Sequence, residues 1–370
     1  MQQIIAQIDP HIKTLLRILN AYAIRNDTPV AGSFTIEEFS QLSLLSAKHK
    51  TNYHLFTYFL QYQHLISPEQ LLQLRDKMTR QAKRSLRQLN ELLSLCSSLN
   101  NRGIRYAIIK GPHMARMLYG KEAVKVSVDL DILMVDPDDL PAFHEVFITA
   151  GYTCFEQRLL TSTWKQRLFV SAKREVHYFN RNTRCAIDLH VKPLANTIIT
   201  RYRCSDFFSD LRHLPFEGIT IPVLPPEKYF VYLCHHGACH MFSHLGWLLD
   251  IRNFFNQQKE MLSIEKILSV AGSINTERSV YLAFYLLEDL FNVAITEKIK
   301  RTMGCSKTIE WLALNCLKAI SYQKGGNLTL KARFDRIIYL VRLTRGITGK
   351  VDVVLGVSLR HLVLILFKGD

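Results

Sequence analysis

The run Lys125-Val-Ser-Val-Asp-Leu-Asp-Ile-Leu-Met134 places Asp129 and Asp131 two residues apart in an otherwise apolar, strand-like segment. Side chains alternate faces along a strand, so Val126, Val128, Leu130 and Ile132 point one way and Ser127, Asp129 and Asp131 the other. Two carboxylates on one rigid surface repel each other unless a cation lies between them, and hard oxygen ligands suit Mg²⁺ or Mn²⁺. Asp-x-Asp on its own also describes a solvated strand edge or an exposed turn, so the surrounding residues decide its meaning.

Upstream, the strand-like Tyr106-Ala-Ile-Ile109 leads into Lys110-Gly111-Pro112 and a helical pattern, His113-Met-Ala-Arg-Met-Leu-Tyr119. A glycine at a strand-to-helix turn lets a phosphate approach the backbone, and the helix N-terminus offers free N–H groups and partial positive charge. Pro112 suits the first helical turn, where its missing N–H matters least. Downstream, Ala186-Ile-Asp-Leu-His-Val191 repeats the alternation. Ile187, Leu189 and Val191 share one face, and Asp188 and His190 share the other, which supplies a third carboxylate on a strand.

This order of motifs resembles the DNA polymerase beta type nucleotidyltransferase superfamily. More narrowly, it resembles the bacterial "uncharacterised nucleotidyltransferase" family. The chain carries Lys110-Gly111, Leu118-Tyr119, Lys125, Asp129-Leu-Asp-Ile-Leu-Met-Val135, Gly151-Tyr152 and Asp188-Leu-His190 in the family's order. The likeness continues through Cys234-His-His-Gly-Ala-Cys-His240 and Leu245-Gly-Trp-Leu-Leu-Asp250, spanning residues from about 100 to about 255.

The resemblance implies an α+β fold in which a small mixed-sheet nucleotidyltransferase core is flanked by helices. It implies transfer of a nucleoside monophosphate from an NTP, ATP being the expected one, to an acceptor hydroxyl with release of pyrophosphate. Asp129, Asp131 and Asp188 become the expected catalytic groups and metal ligands, with Mg²⁺ or Mn²⁺ as cofactor. Lys110, Gly111, Lys125, Ser127, His190 and His240 become the expected nucleotide contacts. The acceptor stays open among a small molecule, a peptide, a protein and tRNA. The alternative is a catalytically silent nucleotide- or RNA-binding protein of the same fold. Against it, a silent relative has no physical reason to keep three clustered negative charges.

Three stretches are expected: an N-terminal helical region over 1–98, a catalytic core over 99–222 and a C-terminal helical domain over 223–370. In the first, Ile12, Leu15, Leu16, Ile18 and Leu19, then Leu86, Leu89, Leu92, Leu93 and Leu95, follow helical periodicity. In the core, Asp136-Pro-Asp-Asp139 caps a helix through Phe143, Val146 and Phe147, and Lys173 to Val191 reads as two strands joined at Asn180-Arg-Asn182. After Pro225-Pro226 the pattern is helical. There, His236, His240 and His244 recur every four residues and are expected on one helix face, as pocket-lining groups. Trp247 and Asp250 read as structural supports.

With 370 residues and 48% hydrophobic content, the composition is that of a globular protein. The first residues, Met1-Gln-Gln-Ile-Ile-Ala-Gln-Ile-Asp9, lack a basic start and a long apolar core, and the eight cysteines show no paired spacing. A cytoplasmic protein with reduced thiols is the expectation. The apolar stretch Val351–Phe367 is interrupted by Asp352, Arg360 and His361, which favours an amphipathic or buried helix over a transmembrane segment. The net charge is +15, with eight Lys or Arg between Arg158 and Lys192 and ten between Lys318 and Lys368. Such a field attracts triphosphates and polyanionic acceptors, and equally serves solubility.

Overall fold

A computed structural model describes residues 9–24, 29–30, 32–121, 129–156, 175–192, 207, 209–295, 297–303, 306–321 and 330–366. Among the described residues, four helices come first: α1 (Pro10–Ile24), α2 (Ile36–Lys48), α3 (Asn52–Gln61) and the long α4 (Pro68–Asn101). Helix α4 begins with a capping box. Ser67 Oγ accepts from the Gln70 N–H, the Gln70 side chain accepts from the Ser67 N–H, and Pro68 occupies the first turn.

The core then alternates strands and helices: β1 (Tyr106–Ile108), α5 (Pro112–Tyr119), β2 (Leu130–Met134), α6 (Leu140–Thr149), β3 (Thr153–Cys154), β4 (Glu175–Asn180), β5 (Cys185–His190), β6 (Arg212–Phe216) and β7 (Ile219–Val223). Together the strands form a seven-stranded mixed sheet in the order β3-β4-β5-β2-β1-β7-β6. The pairs β2/β5 and β1/β7 run parallel, and the remaining pairs are antiparallel. The β4–β5 turn is closed by the Asn180 carboxamide oxygen, which accepts from the N–H groups of Asn182 and Thr183. At the β6–β7 turn, Glu217 and Gly218 both take positive φ, the geometry that matches the twist of a two-residue hairpin.

Among the described residues, eight helices follow: α7 (Pro226–Cys239), α8 (Leu245–Gln257), α9 (Ile264–Ser273), α10 (Glu277–Phe291), α11 (Glu297–Met303), α12 (Lys307–Ser321), α13 (Leu330–Leu343) and α14 (Ile347–Leu366).

The sheet separates two apolar layers. Ile108, Leu130, Ile132, Met134, Val176, Tyr178, Ile187 and Leu189 pack against the C-terminal half of α4 (Leu92, Leu95, Leu99) and against Phe143 and Phe147 of α6. On the opposite face Ala107, Ile109 and Leu133 join a larger core made by α1–α3 and by the helices after β7. The two helical ends of the chain therefore meet. Asn20 Nδ2 donates to the Leu290 carbonyl at 2.9 Å and Lys48 Nζ to the Ile320 carbonyl at 3.0 Å.

No helix among the described residues is long and apolar enough to cross a membrane. No disulfide joins the described cysteines.

Candidate active site

Parallel pairing of β2 with β5 sets Asp131 beside Asp188, so both carboxylates leave the same face of the sheet. Asp129 lies immediately before β2. One oxygen from each of Asp129, Asp131 and Asp188 lies within 4.8 Å of the others. Leu130 and Ile132, the intervening side chains, are buried against α4 and α6, which fixes the register that aims the carboxylates outward.

Both strand aspartates are gripped by an imidazole. His190 Nε2 lies 2.7 Å from Asp131 Oδ1, and His177 Nδ1 lies 2.7 Å from Asp188 Oδ1. Each imidazole also faces a glutamate. His190 Nδ1 is 3.6 Å from Glu175 Oε1, and His177 Nε2 is 4.0 Å from Glu156 Oε1. Glu156 is anchored in turn, its Oε2 accepting the His177 backbone N–H at 2.9 Å.

So many acids in one place shift one another's titration. Burial, followed by the charges of Asp131 and Asp188, raises the Asp129 carboxyl from 3.8 to about 7. Burial also pushes Asp188 upward, but hydrogen bonds from His177 and Asp129 outweigh it and hold Asp188 below the usual carboxylate range. The shift favours a protonated Asp129 hydrogen-bonded to Asp188. The hydrogen bond to Asp188 is also the main cause of a raised His177 pKa.

The Lys110 ammonium approaches the same Asp131 oxygen, 4.0 Å from Oδ1, and lies within hydrogen-bond reach of the His236 ring nitrogens, at 3.0 and 3.2 Å. It also sits 5.6 Å from the Tyr232 ring centroid. Gly111 caps α5 with φ 124° and ψ −158°, a conformation open essentially to glycine alone. Beneath this turn, Tyr229 donates to the Ile109 carbonyl, and burial lowers the His113 pKa to about 3, keeping that ring neutral.

The three histidines do not share one helix face. Helix α7 ends at Cys239, His240 caps it, and Met241 and Phe242 turn the chain through positive φ, which leaves His244 as the cap of α8. Gly237 permits that turn, because a Cβ there would lie 2.2 Å from the Phe242 ring. Periodicity carries no information on where a helix stops, and the turn regroups the rings by another route. His236, His240 and His244 all pack around Trp247, with ring centroids 4.8–5.4 Å from it. Asp250 accepts a hydrogen bond from Tyr119 at 2.9 Å and ties α8 to α5.

The structure thus brings Asp129, Asp131, Asp188, Lys110 and His190 into one contiguous set. Gly111 adjoins Lys110 in the chain, and the His240 ring lies tilted against His236, with ring centroids 4.8 Å apart. His190 is buried to within 2% and touches Asp131, so its direct contact is with the carboxylate. Lys125 and Ser127 lie outside the described residues. Glu156, Glu175 and His177 belong to no sequence motif. The signal that marks the last two is the alternation Glu175-Val-His177-Tyr, which sets both on the face of Asp188 and His190.

Residues 38–292, more than half of the chain, match the model of the family described as "Uncharacterised nucleotidyltransferase", and the chain belongs to that family. No curated protein and no solved structure matches it.

Proposed function

From membership of a nucleotidyltransferase family, we propose that this chain transfers a nucleoside monophosphate from an NTP to an acceptor hydroxyl and releases pyrophosphate, in the manner of the DNA polymerase beta type superfamily. The observation that carries this reading is the convergence of the Asp129, Asp131 and Asp188 oxygens within 4.8 Å. A hard divalent cation fits the set. The donors are all oxygen, and burial together with the mutual repulsion of the carboxylates raises the Asp129 carboxyl to about 7, a repulsion that a cation among them offsets.

Asp129, Asp131 and Asp188 would hold Mg²⁺ or Mn²⁺, which when bound supplies charge stabilisation to the attacking and leaving oxygens. His190 and His177 keep one oxygen of Asp131 and of Asp188 engaged, so that each carboxylate presents its other oxygen in a fixed direction. In this reading Asp188 completes the metal set and accepts the proton of the incoming hydroxyl. The triphosphate lies along the Gly111 turn at the start of α5, with the Lys110 ammonium meeting its charge. His240, the C-terminal cap of α7, borders the same space. In this reading, residues 99–222 form the catalytic unit between the helical stretches 1–98 and 223–370.

Thermal stability measured with Mg²⁺ and each of the four NTPs tests the proposal. Metal and triphosphate together should stabilise the chain more than the sum of each alone, and the favoured base identifies the nucleotide. Equal melting with and without the pair overturns the reading. Metal-independent stabilisation would point instead to a catalytically silent binder.

A further inference from the structure

The β4–β5 hairpin carries a second constellation of ligands beside the aspartate cluster. We propose that Glu175, His177 and Asp188 form a separate centre for a first-row transition ion, with Asp188 shared between this centre and the cluster of Asp129 and Asp131. Antiparallel pairing sets His177 directly across from Asp188 and Glu175 across from His190, so all four side chains leave one face of the hairpin. One donor atom from each of Glu175, His177 and Asp188 lies within 4.8 Å of the other two. The His177–Asp188 contact, at 2.7 Å, is a short edge that an ion bound to both would open slightly.

An independent feature also points into this place. The His190 ring is buried to within 2%, and its Nδ1 has no hydrogen-bond partner among the described residues, yet it faces Glu175 Oε1 at 3.6 Å. The carboxylate it faces stands just beyond hydrogen-bond reach, so the buried nitrogen gains from a shift that closes the gap. An ion drawing Glu175 into its coordination would close it, fixing the carboxylate where the ring can meet it. Glu156, nearly buried, lies 4.0 Å from Nε2, the other ring nitrogen of His177, where its charge helps hold the imidazole in place.

The donor set decides the metal class. Imidazole nitrogen is a poor partner for Mg²⁺ and a good one for Zn²⁺, Mn²⁺, Fe²⁺ or Co²⁺, and one nitrogen with two or three carboxylates is a common set for these ions. The Asp129, Asp131 and Asp188 cluster offers oxygen alone. Because a carboxylate has two oxygens, Asp188 can turn one toward His177 and Glu175 and the other toward Asp129, which places two chemically different metals side by side.

Co²⁺ titration of the full chain without nucleotide tests this, with the visible d–d spectrum reporting nitrogen ligation and equilibrium dialysis reporting stoichiometry. The wild-type chain should bind one Co²⁺ with a nitrogen-ligated spectrum, and Glu175→Gln and His177→Ala should each weaken it about tenfold or more. Asp131→Asn should leave that spectrum in place, which separates this centre from the oxygen-only cluster. Glu175→Gln should keep the Mg²⁺-dependent stabilisation by NTP, and that readout also shows that the variant is folded. Co²⁺ binding unchanged in both hairpin variants, or abolished by Asp131→Asn alone, overturns the proposal. Loss of the NTP response in the wild-type chain would sink the nucleotidyl-transfer reading and leave the Co²⁺ result standing.

Discussion

Replacing Asp129 by asparagine should stabilise the metal-free protein, and only above a defined pH. Burial and the neighbouring carboxylates raise Asp129 from 3.8 in the unfolded chain to about 7 in the folded one. A group whose pKa is raised by folding contributes stability that is fully present below the unfolded value and lost as pH climbs through the folded one. The interval from 3.8 to about 7 corresponds to about 4 kcal/mol, present at pH 4 and gone by pH 8. Asparagine has nearly the shape of the protonated acid, can donate the same hydrogen bond to Asp188, and never ionises.

In EDTA at pH 8, Asp129→Asn should therefore exceed the wild-type chain by roughly 2–4 kcal/mol, a rise of several degrees in melting temperature. At pH 4 the gap should shrink below about 1 kcal/mol, because there the wild-type carboxyl is substantially protonated in the unfolded chain as well as in the folded one. Excess Mg²⁺ at pH 8 should restore the wild-type chain and leave the variant unmoved. Urea unfolding at the two pH values, with and without Mg²⁺, measures all of this. A variant no more stable than wild type at pH 8, or a gap of equal size at both pH values, would refute the charge-repulsion argument.

Three further outcomes follow from named contacts. His190→Ala removes the partner of a buried Asp131 carboxylate, so urea unfolding should show a loss of about 3 kcal/mol, with part of it recovered in His190→Gln. Gly237→Ala sets a methyl 2.2 Å from the Phe242 ring, and should lower stability by about 1–3 kcal/mol while the far-UV circular dichroism spectrum stays the same. Gly111→Ala must adopt φ near 124°, which should reduce stability by about 1–3 kcal/mol and weaken the Mg²⁺-dependent response to tripolyphosphate in a thermal-shift series.

Much of the central sheet was legible because its chemistry is local. Alternation in Asp129–Met134 and in Ala186–Val191 places the carboxylates on one face whatever lies elsewhere, and Lys110-Gly111-Pro112 announces a strand-to-helix turn by residue type alone. The long α4 was readable from its leucine spacing, and the Asn180 turn from its residue types. What the sequence hid depends on partners distant in the chain. The β6–β7 hairpin carries a turn signal at Glu217-Gly218, but its strands present mostly exposed side chains on β6, so they lack a clean apolar alternation.

His177 became visible only through its pairing with Asp188 across the hairpin, and Glu156 only through the His177 backbone. The placement of His244 on α8 rather than α7 turned on Gly237 and Phe242, a packing event between side chains rather than a propensity. That the N-terminal and C-terminal helices share one core could not be read from either end separately.

The central claim is that three carboxylates on β2 and β5 make a metal-dependent triphosphate site. A crystal structure grown with Mn²⁺ and a non-hydrolysable triphosphate, with anomalous diffraction locating the manganese, tests it most directly. The account predicts Mn²⁺ bound by Asp129, Asp131 and Asp188, two ions roughly 3.5–4 Å apart when both positions fill, and phosphate oxygens against the Gly111 turn and Lys110. Manganese absent from those three carboxylates, or a triphosphate bound away from them, would contradict it.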